Sequence, residues 1–127
     1  MDPDIFHFAV NPRNHDLESP ESLHDAWLTS CCVVETPVAD RASVVNIELQ
    51  FLGPNHDRDI HLSYASVRAY RIESCEMFQR GSKHGDLLIH EMRIESAGVY
   101  EHEFLFFSGA SIFIQFEKFA HIVRTRN

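Results

Sequence analysis

The sequence predicts a mainly β protein: an antiparallel two-layer sandwich or a partly open barrel with little helix. Three observations carry this. Period-two alternation recurs along the chain, most cleanly in SVVNIELQFL, where Val45, Ile47, Leu49 and Phe51 share one face and Asn46, Glu48 and Gln50 the other. Short turn signals such as Gly53-Pro54-Asn55 and Ser108-Gly109 separate the alternating stretches. Helical periodicity is nearly absent.

Taken in order, residues 1–21 hold Pro3, Pro12 and Pro20 among acids and Asn, which predicts an extended N-terminal segment. Only Ile5 to Val10 could pair there, as an edge strand. Residues 22–127 form a single antiparallel β domain. Ser19-Pro20-Glu21 can start a helical turn, with Ser19 as cap and Pro20 at the first position. Leu23, Ala26 and Trp27 keep helical spacing, but from Trp27 the β-favouring run TSCCVVE takes over. After SVVNIELQFL comes DIHLSY, with Ile60, Leu62 and Tyr64 inward, and then VRAYRIE. Residues 74–85 show no strand pattern.

The C-terminal third is the clearest. LLIHEMRIE and VYEHEFLFF flank Ser96-Ala97-Gly98, read as a three-residue loop with a left-handed glycine. That register pairs Glu95 with Val99 and Glu91 with Glu103. It sets Met92 and Ile94 on the face of Tyr100, His102, Phe104 and Phe106, and a one-residue slip would turn the whole set over. ASIFIQFEKF follows, alternating at Ile112, Ile114 and Phe116. Phe104-Leu105-Phe106-Phe107 is apolar on both faces, which predicts a central strand with both faces covered.

A chain of 127 residues, 44% apolar and 24% charged, fits one domain with a core that needs no disulfides. Its net charge of −8 argues against nucleic-acid binding and suits a basic protein partner. A homo-oligomer stays open. Cys31, Cys32 and Cys75 are odd in number and match no zinc or CxxC spacing, so reduced and mostly buried thiols are expected. In a strand, Cys31 and Cys32 point to opposite faces. The start MDPDIFHFAVNPRN lacks the basic n-region of a signal peptide, and no window approaches the ~20 apolar residues of a membrane span. The expected home is the cytoplasm.

Nine histidines, many beside a carboxylate, are the raw material for chemistry. His90 and His102 fall diagonally on one hairpin face, where two imidazoles could contribute to a metal site or a small-ligand barrel. No HExxH or paired-cysteine motif completes it, so buried core histidines are the simpler reading, with no cofactor and no metal. Glu91 and Glu103 oppose each other on the other face. Close carboxylates can form an acid/base pair, but Arg93 two residues on makes a charge ladder. Ser108 is not in a GxSxG elbow, and there is no Gly-rich phosphate loop. The expectation is a protein that is not an enzyme. The aromatic side chains are mainly core, with a small-molecule pocket as their alternative use.

The stretch Ser22-Leu23-His24-Asp25-Ala26 before a strand resembles the "HDA" opening of small bacterial immunity-type proteins of polymorphic toxin systems. IHLSYASVRAYRIE is similar to a middle strand segment of such proteins, and FLFFSGASIFIQF looks like their closing hairpin, so the resemblance spans about residues 22 to 119. It implies a cytoplasmic β domain that inhibits a toxin rather than catalyses. His24 and Asp25 then serve partner binding or a metal or, as their chemistry favours, the start of the strand. There the pair bonds neighbouring backbone groups, Asp25 taking up free N–H groups of the turn.

Overall fold

Alternation along each strand decides which side chains meet in the interior, and the ladder decides which strands sit side by side. The computed structural model describes residues 8, 23–39, 43–74 and 86–126. Its strands are β1 (Trp27–Thr36), β2 (Val44–Leu52), β3 (Arg58–Ala65), β4 (Ala69–Glu73), β5 (Leu87–Ser96), β6 (Val99–Phe106), β7 (Ser111–Phe116) and β8 (Lys118–Thr125). They form two four-stranded antiparallel sheets, ordered β1-β2-β3-β8 and β4-β7-β6-β5, with no closed barrel. The two-layer sandwich expected from the alternation is the fold.

The inward phases are those read from the sequence. Ile47, Leu49 and Phe51 of β2, Ile60, Leu62 and Tyr64 of β3, and Ile112, Ile114 and Phe116 of β7 are all buried. Full burial of each such side chain stabilises by about 1.5–3 kcal/mol. Phe51 and Phe104 stack across the two layers, with ring centroids 5.8 Å apart.

Backbone bonds tie the sheets together at two corners. At one, Asp25 N–H donates to the Leu87 carbonyl (2.8 Å), and Leu87 N–H donates to that of Ala26 (2.9 Å). At the other, Val67 N–H reaches the Val45 carbonyl (2.9 Å) and Arg68 N–H reaches that of Gln115 (2.8 Å). Each corner contains a non-glycine residue with positive φ, Asp25 at 64° and Ser66 at 53°. Such conformations are uncommon outside glycine. The corner bonds flanking Asp25 and Ser66 hold the chain in them.

Several expectations are corrected. The β5–β6 turn is Ala97-Gly98, with Gly98 at φ 76°, and a register shift between Ile94 and Ser96 pairs Ser96, not Glu95, with Val99. Glu91 does pair with Glu103. β6 is central, but only its inner face is covered: Phe104 and Phe106 are buried, whereas Leu105 and Phe107 are 41% and 57% exposed. The ladder on both sides, not burial of both faces, makes it central. Cys31 and Cys32 are free thiols but exposed rather than buried. Leu23, His24, Asp25 and Ala26 form a turn, not a helix. β8 is a full strand where the sequence pattern predicts only the run ASIFIQFEKF; the chain leaves β7 at Phe116 and enters β8 at Lys118. The helical turn at Ser19, Cys75 and most of 74–85 lie outside the described residues. So does the proposed strand Ile5 to Val10, except Phe8, which is helical in backbone and buried.

Candidate functional site

Register places His90 of β5 and His102 of β6 as diagonal neighbours, since their direct partners are Phe104 and Met92. His102 is fully buried and uses both ring nitrogens within the protein. Its Nδ1 meets the Tyr64 hydroxyl at 2.7 Å, and its Nε2 meets Nδ1 of His90 at 2.9 Å. A neutral chain of this kind needs only one sense of donation from end to end: Tyr64 O–H to His102 Nδ1, then His102 Nε2–H to His90 Nδ1, or the reverse. Burial holds the Tyr64 phenol well above its ordinary range, so the hydroxyl keeps its proton.

Phe8 caps the network. Its ring lies 4.9 Å from His121, 5.0 Å from Phe119, 5.6 Å from His102 and 5.8 Å from His90, centroid to centroid. His121 comes from β8, the strand missed in the sequence. Its signal was present, since Phe119, His121 and Val123 alternate with exposed Ala120, Ile122 and Arg124. Tyr64 was placed inward, but nothing local links it to a histidine 38 residues away. His90 and His102 bond to each other instead of converging on an open coordination point. Among the described residues, no three His, Cys, Asp or Glu side chains are grouped to hold a metal ion.

His24 and Asp25 anchor the corner before β1. His24 Nδ1–H donates to the Leu88 carbonyl at 2.8 Å, which turns Nε2 toward the Asp25 carboxylate at 3.5 Å. The Asp25 backbone N–H, rather than its carboxylate, completes the tie to β5. The His24 ring also lies 6.2 Å from that of Phe107. This joins the motif to the outer face of the second sheet.

That outer face holds a groove of about 360 Å³, lined by Arg71, Ile89, Glu91, Glu103, Leu105 and Phe113 with four neighbours. Glu91 and Glu103 do not stand as an isolated carboxylate pair. Arg93 reaches Glu101 at 3.0 Å, Glu103 at 3.5 Å and Glu91 at 3.8 Å. Arg71 lies over the Phe113 ring at 5.8 Å and pairs with Glu73 at 3.1 Å. Four carboxylates against two guanidiniums leave the face acidic. Between them Ile89, Leu105 and Phe107 stand exposed. Comparison of the chain with protein-family models, curated proteins and solved structures finds no match.

Proposed function

We propose that this chain is a non-catalytic β domain that binds another protein, as an immunity-like inhibitor of a basic toxin. The observation that carries the reading is the outer face of the second sheet, where exposed Ile89, Leu105 and Phe107 lie within an acidic setting. Apolar anchors surrounded by charge are the usual make-up of a protein-binding patch. A basic partner is drawn to a protein of net charge −8. His24 borders this face through Phe107, and its ring and the Asp25 backbone N–H fix the adjoining corner, which supports a place for the motif at the edge of the binding patch. The ion-paired state of Glu91 and Glu103 supports a recognition role over an acid/base one. Among the described residues no helix is long and apolar enough to cross a membrane, in keeping with the cytoplasmic site of action proposed for it.

The test is calorimetric titration of the purified chain with the toxin domain encoded by the adjoining reading frame. A salt-sensitive complex is expected, weakened strongly by Leu105→Arg and Glu103→Lys. A neighbouring frame that encodes no toxin, or binding untouched by both substitutions, would sink the proposal.

A further inference from the structure

We infer that β1 pairs antiparallel with β1 of a second copy, about a twofold axis that sets Cys32 opposite the second copy's Cys32. One side of β1 is laddered to β2 from Trp27 to Thr36, interrupted by a bulge at Thr29. The other side is engaged only at its start, where Trp27 bridges Asp86. From Leu28 to Thr36 no described residue pairs with that second side. An open row of N–H and C=O groups is a template for another strand.

Charge selects the occupant. The other three edge strands carry the ionic side chains that discourage strand addition: Arg71 and Glu73 on β4; Glu91, Arg93 and Glu95 on β5; Lys118 and Arg124 on β8. The free edge of β1 reads LTSCCVVET, with Glu35 as its one charge. Two molecules of charge −8 repel each other across most approaches, and β1 is the edge strand with the fewest ionic side chains. A second β1 is also the strand whose pattern matches this one.

Symmetry then fixes the register. A twofold axis normal to the sheet keeps each face on its own side, so paired residues must share parity in number. The free stretch Leu28 to Thr36 has Cys32 at its middle. Centring the axis there pairs Cys32 with Cys32, Cys31 with Val33 and Ser30 with Val34, all within the regular ladder that follows the bulge at Thr29. No carboxylate opposes another. Cys31 and Val33 share the inward face with their β2 partners Leu49 and Ile47, yet both stay exposed. In the dimer each gains the other from the second copy as a neighbour. The contact consumes both β1 edges, so it closes as a dimer with a continuous eight-stranded sheet and does not grow further. One strand per copy is a small interface, which makes the dimer concentration-dependent. It belongs to the other sheet from the acidic outer face and stands whether or not that face binds a toxin.

The experiment uses the full chain alone. Sedimentation under reducing conditions over a wide concentration range is expected to show a reversible monomer–dimer equilibrium. Val33→Lys and Val34→Lys together should abolish it while leaving circular dichroism and the unfolding temperature close to those of the parent. Independently of that variant's folding, a chain retaining only Cys32 (Cys31→Ser, Cys75→Ser) should form a covalent dimer under mild oxidation. Directly opposed residues lie within disulfide range. A chain retaining only Cys31 should crosslink roughly tenfold or more slowly, since diagonal positions lie at or beyond that range. A monomer at every concentration, a dimer that survives both lysines, or equal crosslinking from the two cysteines would overturn the inference.

Discussion

β1 and the end of β6 carry two dense apolar runs, Cys31-Cys32-Val33-Val34 and Phe104-Leu105-Phe106 with Phe107 in the turn that follows, and the fold treats them oppositely. β6 lies between β5 and β7, and its inner side chains Phe104 and Phe106 are 0% and 1% exposed. β1 lies at an edge, and all four side chains of its run are exposed, including those in inward phase. Local hydrophobicity does not separate the two. What separates them is packing across the sandwich: Phe104 meets Phe51 of the other sheet, while Cys31 and Val33, though in inward phase, are exposed. An apolar run reports that a strand forms, not where in its sheet the strand goes.

The strongest test of that contrast is a pair of truncations. Phe104→Ala should cost about 3–5 kcal/mol in urea-induced unfolding, the range for a buried Phe. Val33→Ala, also in inward phase but exposed, should cost less than ~1 kcal/mol. Similar losses at both sites would mean that β1 is covered in solution and would end the distinction. The comparison is best made in dilute protein, because a β1 dimer adds its own stability at high concentration.

Next in size is the buried polar chain. Tyr64→Phe keeps the ring packing and removes the hydroxyl that faces His102 Nδ1. An expected loss of about 1–3 kcal/mol reflects a buried nitrogen left without that partner. The hydroxyl also predicts an alkaline limit. The folded phenol is raised above its unfolded value of ~10, so its contribution is complete below that pH and is lost as pH rises through the folded value. Parent stability should therefore decline above about pH 10 with a component that Tyr64→Phe lacks. A phenolate titration in which all the tyrosines ionise together in the folded protein would count against this burial.

Much of the fold was legible because period-two alternation is a strong signal where one face is buried. β2, β3, the β5–β6 hairpin and β7 were readable on those grounds, down to the pairing of Glu91 with Glu103. β8 was missed because it follows β7 after one residue, Glu117, without a Gly or Pro turn signal. The exposure of Cys31 and Cys32 was unreadable because it depends on sheet order, which local pattern does not encode. In the candidate sites, the diagonal contact of His90 with His102 followed from the hairpin register. Tyr64 and His121 joined it only through pairings of strands distant in sequence. The role of His24 rests on a carbonyl 64 residues away.

The smallest expected stability change lies on β6 itself and turns the contrast from two strands to two faces. Leu105 sits between Phe104 and Phe106 but points to the outer face, against the groove with Ile89 and Phe113. Leu105→Gln removes apolar surface that is already partly in water, and leaves the β5 and β7 ladders intact. Its unfolding free energy should change by no more than ~0.5 kcal/mol, as for other exposed positions. If the outer face is where a basic partner docks, the same change should raise Kd about tenfold or more, as expected for an apolar anchor at the centre of an interface. The neighbouring Phe104→Ala should instead lower the folded fraction and leave Kd per folded molecule almost unchanged. Destabilisation by Leu105→Gln approaching that of Phe104→Ala would show that the outer face is covered in the free protein, and the docking surface would have to be sought elsewhere.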